Sequence, residues 1–165
     1  MCGNGLSGST VGIVGLGRIG QTIKKMLTPF GVNKFLYHGR TKLPSGIVQL
    51  SATFVSILIH DVVQFDFILF KKDVENGAEH TNFEELLARS DFVIATCALT
   101  KDTKNLFNME AFKTMKNSAV FINTSRGGIV NQEDLVEALQ NRIISMAGLD
   151  VMTPEPLPQG HPLTR

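Results

Sequence analysis

Residues Thr10–Gly20 read TVGIVGLGRIG, an apolar run followed by three closely spaced glycines. Thr10 to Gly15 is apolar without polar alternation, which predicts a strand buried on both faces. Gly17 to Leu27 then carries helical spacing, with Ile19, Ile23 and Met26 or Leu27 on one face and Lys24 and Lys25 off it. Pro29 and Gly31 end that helix. Gly15, Gly17 and Gly20 stand in the spacing G-x-G-x-x-G, a weak signal alone. After a buried strand and at the start of a helix it acquires a mechanism. Gly15 permits the tight turn, Gly17 lets the backbone approach a pyrophosphate, and Gly20 lets the helix pack closely on the strand. The N–H groups opening the helix then bind negative phosphates. The plain alternative is that the glycines only turn the chain. A nucleoside-triphosphate loop is disfavoured, because no Lys-Ser or Lys-Thr pair follows at the required place.

Working outward, short apolar runs alternate with helical patterns. Lys34 to His38 (KFLYH), Asp91 to Thr96 (DFVIAT), Ser118 to Asn123 (SAVFIN) and Ser145 to Val151 (SMAGLDV) read as further strands. In TNFEELLARS, Thr81 with Glu84 reads as the capping box of a short helix. Met109 to Lys116 is helical with Asn108 as its cap, and Asn131 opens a helix running to Gln140. At least five strands and four helices follow, without a fixed repeat. The expected fold class is α/β, a doubly wound parallel sheet, with residues 1–165 forming one dinucleotide-binding domain. The proline-rich tail at 152–165 should be extended. Roughly forty residues separate Arg40 from Thr81, far beyond an ordinary connection. Within them lies an atypical apolar insertion at about 45–74. Its run from Ile47 to Phe70 raises the question of a membrane span. Asp61 and Asp66 answer against one, since each would cost about 2.5–3.5 kcal/mol at mid-helix. Val62 to Phe70 alternates and would suit an additional strand.

Sixteen basic and fifteen acidic residues leave a net charge of +1, which excludes an electrostatically driven nucleic-acid binder. With 43% apolar residues the composition is globular. Cys2 and Cys97 make neither a disulfide framework nor a zinc site. His38, His60, His80 and His161 show no ligand spacing, so no metal is expected. Met1 to Thr10 lacks the basic start and apolar run of a secretory signal, and a cytoplasmic setting is the expectation.

An NAD site usually places an acid about twenty residues beyond the glycines, at the end of the second strand. Here that neighbourhood reads His38-Gly39-Arg40-Thr41-Lys42. Arg40 and Lys42 suit a 2′-phosphate, with a hydroxyl from Thr41, so NADPH is expected over NADH. A solvated basic turn is the alternative. Other strand ends carry further candidates. Cys97, Ala98, Leu99 and Thr100 are small or polar enough to line a cofactor cleft, with Cys97 read as a small buried residue rather than a nucleophile. Thr124, Ser125, Arg126 and Gly127 follow SAVFIN, and Asp150 then Glu155 follow SMAGL. An Arg beside a nicotinamide can hold a carboxylate and polarise the adjacent carbonyl. By spacing alone Arg126 is equally a surface ion-pair residue, and Glu155 a solvated loop residue.

STVGIVGLGRIGQTI, FINTSRGGIVNQEDLVEAL and AGLDVMTPEPLP resemble the D-2-hydroxyacid dehydrogenases, most closely their glyoxylate/hydroxypyruvate reductase branch. PFGV…FLYHGR and the late HPL support the narrower match, and the likeness covers residues 3 to about 42 and 78 to about 163. The resemblance implies a Rossmann cofactor domain that pairs as a homodimer. It also implies NADPH-dependent reduction of the small 2-oxoacids glyoxylate and hydroxypyruvate to glycolate and D-glycerate. It makes Arg126 the substrate-binding catalytic Arg and Glu155 the acid that orients a catalytic His. Asp150 matches a residue near the nicotinamide end, and Gly17, Arg18, Ile19, Arg40, Ala98 and Thr124 match cofactor-contacting positions. The family's proton-donating His lies in a P-H-I-G-S-like motif, and His161 does not match it. The substrate domain of the family has no counterpart here, and residues 45–74 replace a helix between the second and third strands. A non-catalytic NADP(H)-binding or dimerisation module is the alternative reading.

Overall fold

The computed structural model describes residues 5–39 and 77–164. Arg40, Thr41, Lys42, the apolar insertion and the strand read at Val62 to Phe70 lie outside the described residues. Six strands form one parallel sheet: β1 (Thr10–Val14), β2 (Lys34–His38), β3 (Ala78–His80), β4 (Phe92–Ala95), β5 (Val120–Asn123) and β6 (Met146–Leu149). Their order is β3-β2-β1-β4-β5-β6, so the chain reverses its direction of winding between β1 and β4. In such sheets ligands sit at that switch point, beyond the carboxyl ends of the strands. The helices are α1 (Arg18–Leu27), α2 (Phe83–Arg89), α3 (Met109–Thr114) and α4 (Gln132–Gln140). No helix among the described residues is long and apolar enough to cross a membrane.

The central strands are apolar between their ends because both their faces are covered. Val11, Ile13, Phe35, Tyr37, Phe92 and Ile94 pack on one face, where Ile23 and Leu27 of α1 meet them. Val14, Leu36, Val93, Ala95 and Phe121 pack on the other, against Leu86 and Leu87 of α2, Phe112 of α3 and Leu135 of α4. Each fully buried side chain of this size contributes about 1.5–3 kcal/mol. Asp91 fastens the amino edge of the sheet. Its carboxylate accepts from the Thr10 N–H and from Lys116 Nζ, both at 2.8 Å.

Several expectations need correction. α1 turns Gly20, Gln21 and Lys24 inward, while Ile19 and Met26 are each 64% exposed. Gly20 sets this rotation: without a side chain it becomes the contact point with β1, and Lys24, one turn on, shares its face. The aliphatic stem of Lys24 is long enough to be covered, and its ammonium lies 5.8 Å from the Phe35 ring centroid. The cap of α2 is Asn82, whose Oδ1 accepts from Glu85 N–H at 2.7 Å, whereas the Thr81 hydroxyl donates to the Asn82 carbonyl. The Asn108 and Asn131 caps form as expected, accepting from Ala111 and Asp134 N–H. β3 is a strand that its polar sequence AEH does not announce. Glu79 on it pairs with Lys34 and Arg89, and the Arg89 hydrogen bond leads in lowering its pKa to about 2. The tail is not extended throughout: Pro162–Thr164 forms a 3-10 turn.

Candidate functional site

The turn between β1 and α1 is built by contacts that only glycine allows. Gly15 has φ +99°, and a β-carbon on it would lie 2.7 Å from the Cys97 backbone. A β-carbon on Gly20 would come within 2.6 Å of the Gly15 carbonyl oxygen. At Gly17 the same atom would meet nothing within 4 Å, so this glycine faces open space. The first helical hydrogen bond runs from Gln21 N–H to Gly17 C=O at 3.0 Å. The amides of Arg18, Ile19 and Gly20 therefore precede the helical ladder. No side chain caps this end, and no acid occupies its first turn. The arrangement leaves a patch of donors with the positive end of the helix dipole behind it.

Around this patch the carboxyl ends of β1, β2 and β4 enclose a cavity of about 370 Å³. Val14, Gly15, Gly17, His38, Gly39 and Thr96 form one part of its lining, and the loop from Cys97 to Leu106 supplies the rest. Thr96, which the sequence marked only as the end of a strand, ties the two strands together. Its hydroxyl donates to the Gly15 carbonyl at 2.6 Å. Thr103 closes the loop by donating to the Ala98 carbonyl at 2.6 Å and accepting from Thr100 N–H at 2.7 Å. Burial pushes the Cys97 thiol above its ordinary pKa, which keeps it protonated and agrees with a packing role.

The second half of the site is organised by a residue not singled out from the sequence. Asn123, 1% exposed at the end of β5, donates through Nδ2 to the Arg126 carbonyl at 3.1 Å. Its Oδ1 accepts from Ser125 N–H and Oγ, and its own carbonyl accepts from Asp150 N–H at 3.0 Å. One buried amide thus holds the loops that carry Arg126 and Asp150. A buried Asn persists only with such partners, so a polar residue closing an apolar strand is the signal that could have found it. Gly127 packs so tightly on Met152 that a β-carbon would lie 2.1 Å from the Met152 carbonyl oxygen. This contact seats the Arg126 loop against the Glu155 loop. The exposed Arg126 guanidinium donates to the Ser125 carbonyl at 2.7 Å, and Glu155 Oε1 accepts from Met152 N–H at 2.8 Å.

Of the expected site residues, Gly15, Gly17 and Ala98 line the cavity. Arg18, Ile19 and Gly20 open the helix beside it. Thr124, Arg126, Asp150 and Glu155 lie on the β5 and β6 loops, outside the cavity lining, with no hydrogen bond or ion pair joining their side chains to one another. A larger open groove of about 820 Å³ separates α4 from the tail, and His161 lines it rather than the cofactor-sized cavity. No group of metal-ligating side chains occurs among the described residues.

A model of the D-isomer specific 2-hydroxyacid dehydrogenase, NAD binding domain, matches residues 1–71 and 47–165. The glyoxylate reductase/hydroxypyruvate reductase of Mus musculus is 49% identical over 163 residues, covering 99% of this chain and 42% of that protein. The Homo sapiens protein of the same name is 47% identical with the same coverage. Among solved structures, a glyoxylate reductase from Paecilomyes thermophila superposes with a TM-score of 0.78 at 29% identity, covering 100% of this chain and 42% of that one. An NAD-dependent formate dehydrogenase from Staphylococcus aureus, in complex with NAD, gives 0.74 at 29% identity over 96% and 39% of the two chains. The chain thus spans less than half the length of these relatives.

Proposed function

The chain belongs to the D-isomer-specific 2-hydroxyacid dehydrogenase family through its NAD-binding domain, and from that premise we propose that it binds NADPH at the β1–α1 turn and serves reduction of glyoxylate and hydroxypyruvate to glycolate and D-glycerate. The observation that carries this reading is the uncapped row of amides at Arg18 to Gly20, opening beside a cavity at the sheet's switch point. The open space at Gly17 fits a diphosphate, because nothing there would be displaced by its approach. When bound, the dinucleotide supplies a hydride to the keto carbon. The chain's own residues orient and balance charge around that transfer. Arg126 holds the 2-oxoacid carboxylate and polarises its carbonyl. Asn123 keeps the Arg126 backbone in place through its buried amide. Glu155, anchored by Met152 N–H, presents the carboxylate that orients a proton-donating His. His161 does not fill that role, since it sits in the groove beside α4 and its Nδ1 accepts from Leu163 N–H at 3.2 Å. Without a proton-donating His beside Glu155 the rate typically falls by about 10²–10⁴, so these 165 residues assayed alone should turn over little.

Side-by-side fluorescence titrations with NADPH and NADH test the cofactor reading, with tighter NADPH binding expected. Binding of neither would overturn it. Oxidation of NADPH in the presence of hydroxypyruvate tests the catalytic part, and strong turnover by this chain would refute the assignment of the proton donor. The placement of His161 also favours a second reading, a dinucleotide-binding module without turnover, which predicts the same titrations and no oxidation at all. A second copy of the chain belongs to the proposal as well. Met26 and Phe30, 64% and 61% exposed, give α1 and the turn after it an outward apolar surface. Analytical ultracentrifugation should return a dimer.

A further inference from the structure

The bend between β1 and α1 carries the carbonyls of Gly15, Leu16 and Gly17 in succession, and a donor from the chain engages each of them. The Gly15 carbonyl accepts from Thr96 Oγ1 at 2.6 Å and from the Gly17 N–H at 2.9 Å, which uses both of its lone pairs. The Leu16 carbonyl accepts from Gln21 Nε2 at 3.3 Å, and the Gly17 carbonyl from the Gln21 N–H at 3.0 Å. Gln21 is 8% exposed and belongs to the inward face of α1. Thr96 directly follows β4 and lines the cofactor-sized cavity. Its hydroxyl also lies 3.3 Å from the Val14 carbonyl, but that oxygen already takes the Thr96 N–H at 2.9 Å. The shorter bond to Gly15 therefore claims the one hydroxyl hydrogen. Gly20 leaves the room for it, since a β-carbon there would lie 3.0 Å from Thr96 Oγ1.

Resting on the reading of this turn as the diphosphate site, we infer that Thr96 and Gln21 are positioning residues for the dinucleotide, acting through the carbonyls of the bend. An anion is drawn by N–H groups and repelled by carbonyl oxygens. Each of the two side chains keeps one carbonyl committed to the protein, so that the free amides from Arg18 onward are what the phosphates meet. Without the Thr96 hydroxyl, the Gly15 carbonyl keeps only the Gly17 N–H and is free to tilt toward the cavity. Without Gln21 Nε2, the Leu16 carbonyl is released in the same way. Either change puts the negative end of a peptide dipole beside a negative ligand. Both bonds exist before any ligand arrives, so the bend is ordered in advance and binding bears no cost of ordering it.

Thr96→Ser and Thr96→Ala differ by one hydroxyl, and both lack the γ-methyl, so the pair isolates the bond to Gly15. Fluorescence titrations of the full chain should find Thr96→Ser close to the parent. Thr96→Ala should bind about threefold to tenfold more weakly, for NADPH and NADH alike, because both carry the same diphosphate. Gln21→Met keeps the length of the side chain and loses the donor, and should show the same parallel loss. Asp91→Ala controls for stability alone. It loosens the amino edge of the sheet, far from the bend, and should lower the melting temperature while leaving both affinities unchanged. Should Thr96→Ala fail to fold, Gln21→Met carries the test. Equal affinities in Thr96→Ser and Thr96→Ala would remove Thr96 from the role, and parent affinity in Gln21→Met would remove Gln21. A matching loss in Asp91→Ala, or a loss confined to one dinucleotide, would overturn the inference while leaving the site in place. Failure of the parent to bind either dinucleotide would overturn the reading of the turn and the inference with it.

Discussion

Replacing Gly20 by alanine would put a methyl group 2.6 Å from the Gly15 carbonyl oxygen, 3.0 Å from Thr96 Oγ1 and 3.1 Å from Ile13 Cγ2. The nearest of these is backbone, so α1 must lift from β1 to make room. Overpacking of this kind costs about 1–3 kcal/mol. Alanine returns roughly 1 kcal/mol of helix propensity. The lift also strains the Thr96 hydroxyl bond to the Gly15 carbonyl, worth about 0.5–1.5 kcal/mol. The net expectation for Gly20→Ala is a loss of about 1–3 kcal/mol, or roughly 2–4 °C in Tm per kcal/mol for a domain of this size. Gly17→Ala behaves in the opposite way. Its methyl meets nothing within 4 Å and its φ of −78° suits alanine, so only the weaker capping preference is lost, at about 0.5 kcal/mol. That methyl stands where the diphosphate approaches, and NADPH affinity should fall about tenfold or more. Thermal melts by circular dichroism and fluorescence titrations on both variants read the two effects separately. Wild-type NADPH affinity in Gly17→Ala, or an unchanged melting temperature in Gly20→Ala, would refute the reasoning.

Other consequences are equally direct. Arg40→Asp should weaken NADPH binding far more than NADH binding in paired titrations, and an equal loss would remove Arg40 from 2′-phosphate recognition. Asp91→Ala should cost about 1–3 kcal/mol at neutral pH in denaturant melts, because a carboxylate bonded to both Thr10 N–H and Lys116 disappears. Burial works against that carboxylate, yet the Lys116 and Thr10 bonds win and leave its pKa depressed. The stabilisation is therefore complete above the unfolded value of about 3.9 and fades as pH falls through the folded one, so the gap between parent and variant should narrow in acid. A constant gap from pH 7 to pH 3 would count against it. Alkylation of Cys97, followed on its tryptic peptide, should be slow at pH 7 and slower still with NADPH bound, since the thiol is half-buried on the cavity wall. Unchanged labelling in saturating cofactor would place the dinucleotide elsewhere.

The glycine fingerprint and the six-strand frame were legible because each rests on local chemistry. Gly15 and Gly20 occupy positions where a side chain collides with backbone, and the middles of the central strands are apolar because both faces are covered. The inward face of α1 was misread for a physical reason. Hydropathy counts Lys24 as a charge, whereas its stem packs like an aliphatic chain, and the contact at Gly20 has no side chain to announce it. Thr81 and Asn82 are both good caps, and each has a glutamate three residues on or close to it, so only backbone geometry chooses Asn82. β3 escaped because Ala78, Glu79 and His80 form a short edge strand held by pairing with β2 and by ion pairs, not by apolar burial. Asn123 and Thr96 escaped because their roles come from partners 2 to 81 positions away in the chain.

A structure of the chain with NADPH bound is the most direct test. The expected result places the diphosphate within hydrogen-bonding distance of the Arg18 and Ile19 amides, in front of Gly17. A dinucleotide bound anywhere else, with those amides facing only solvent, would contradict the assignment of the β1–α1 turn as the phosphate site.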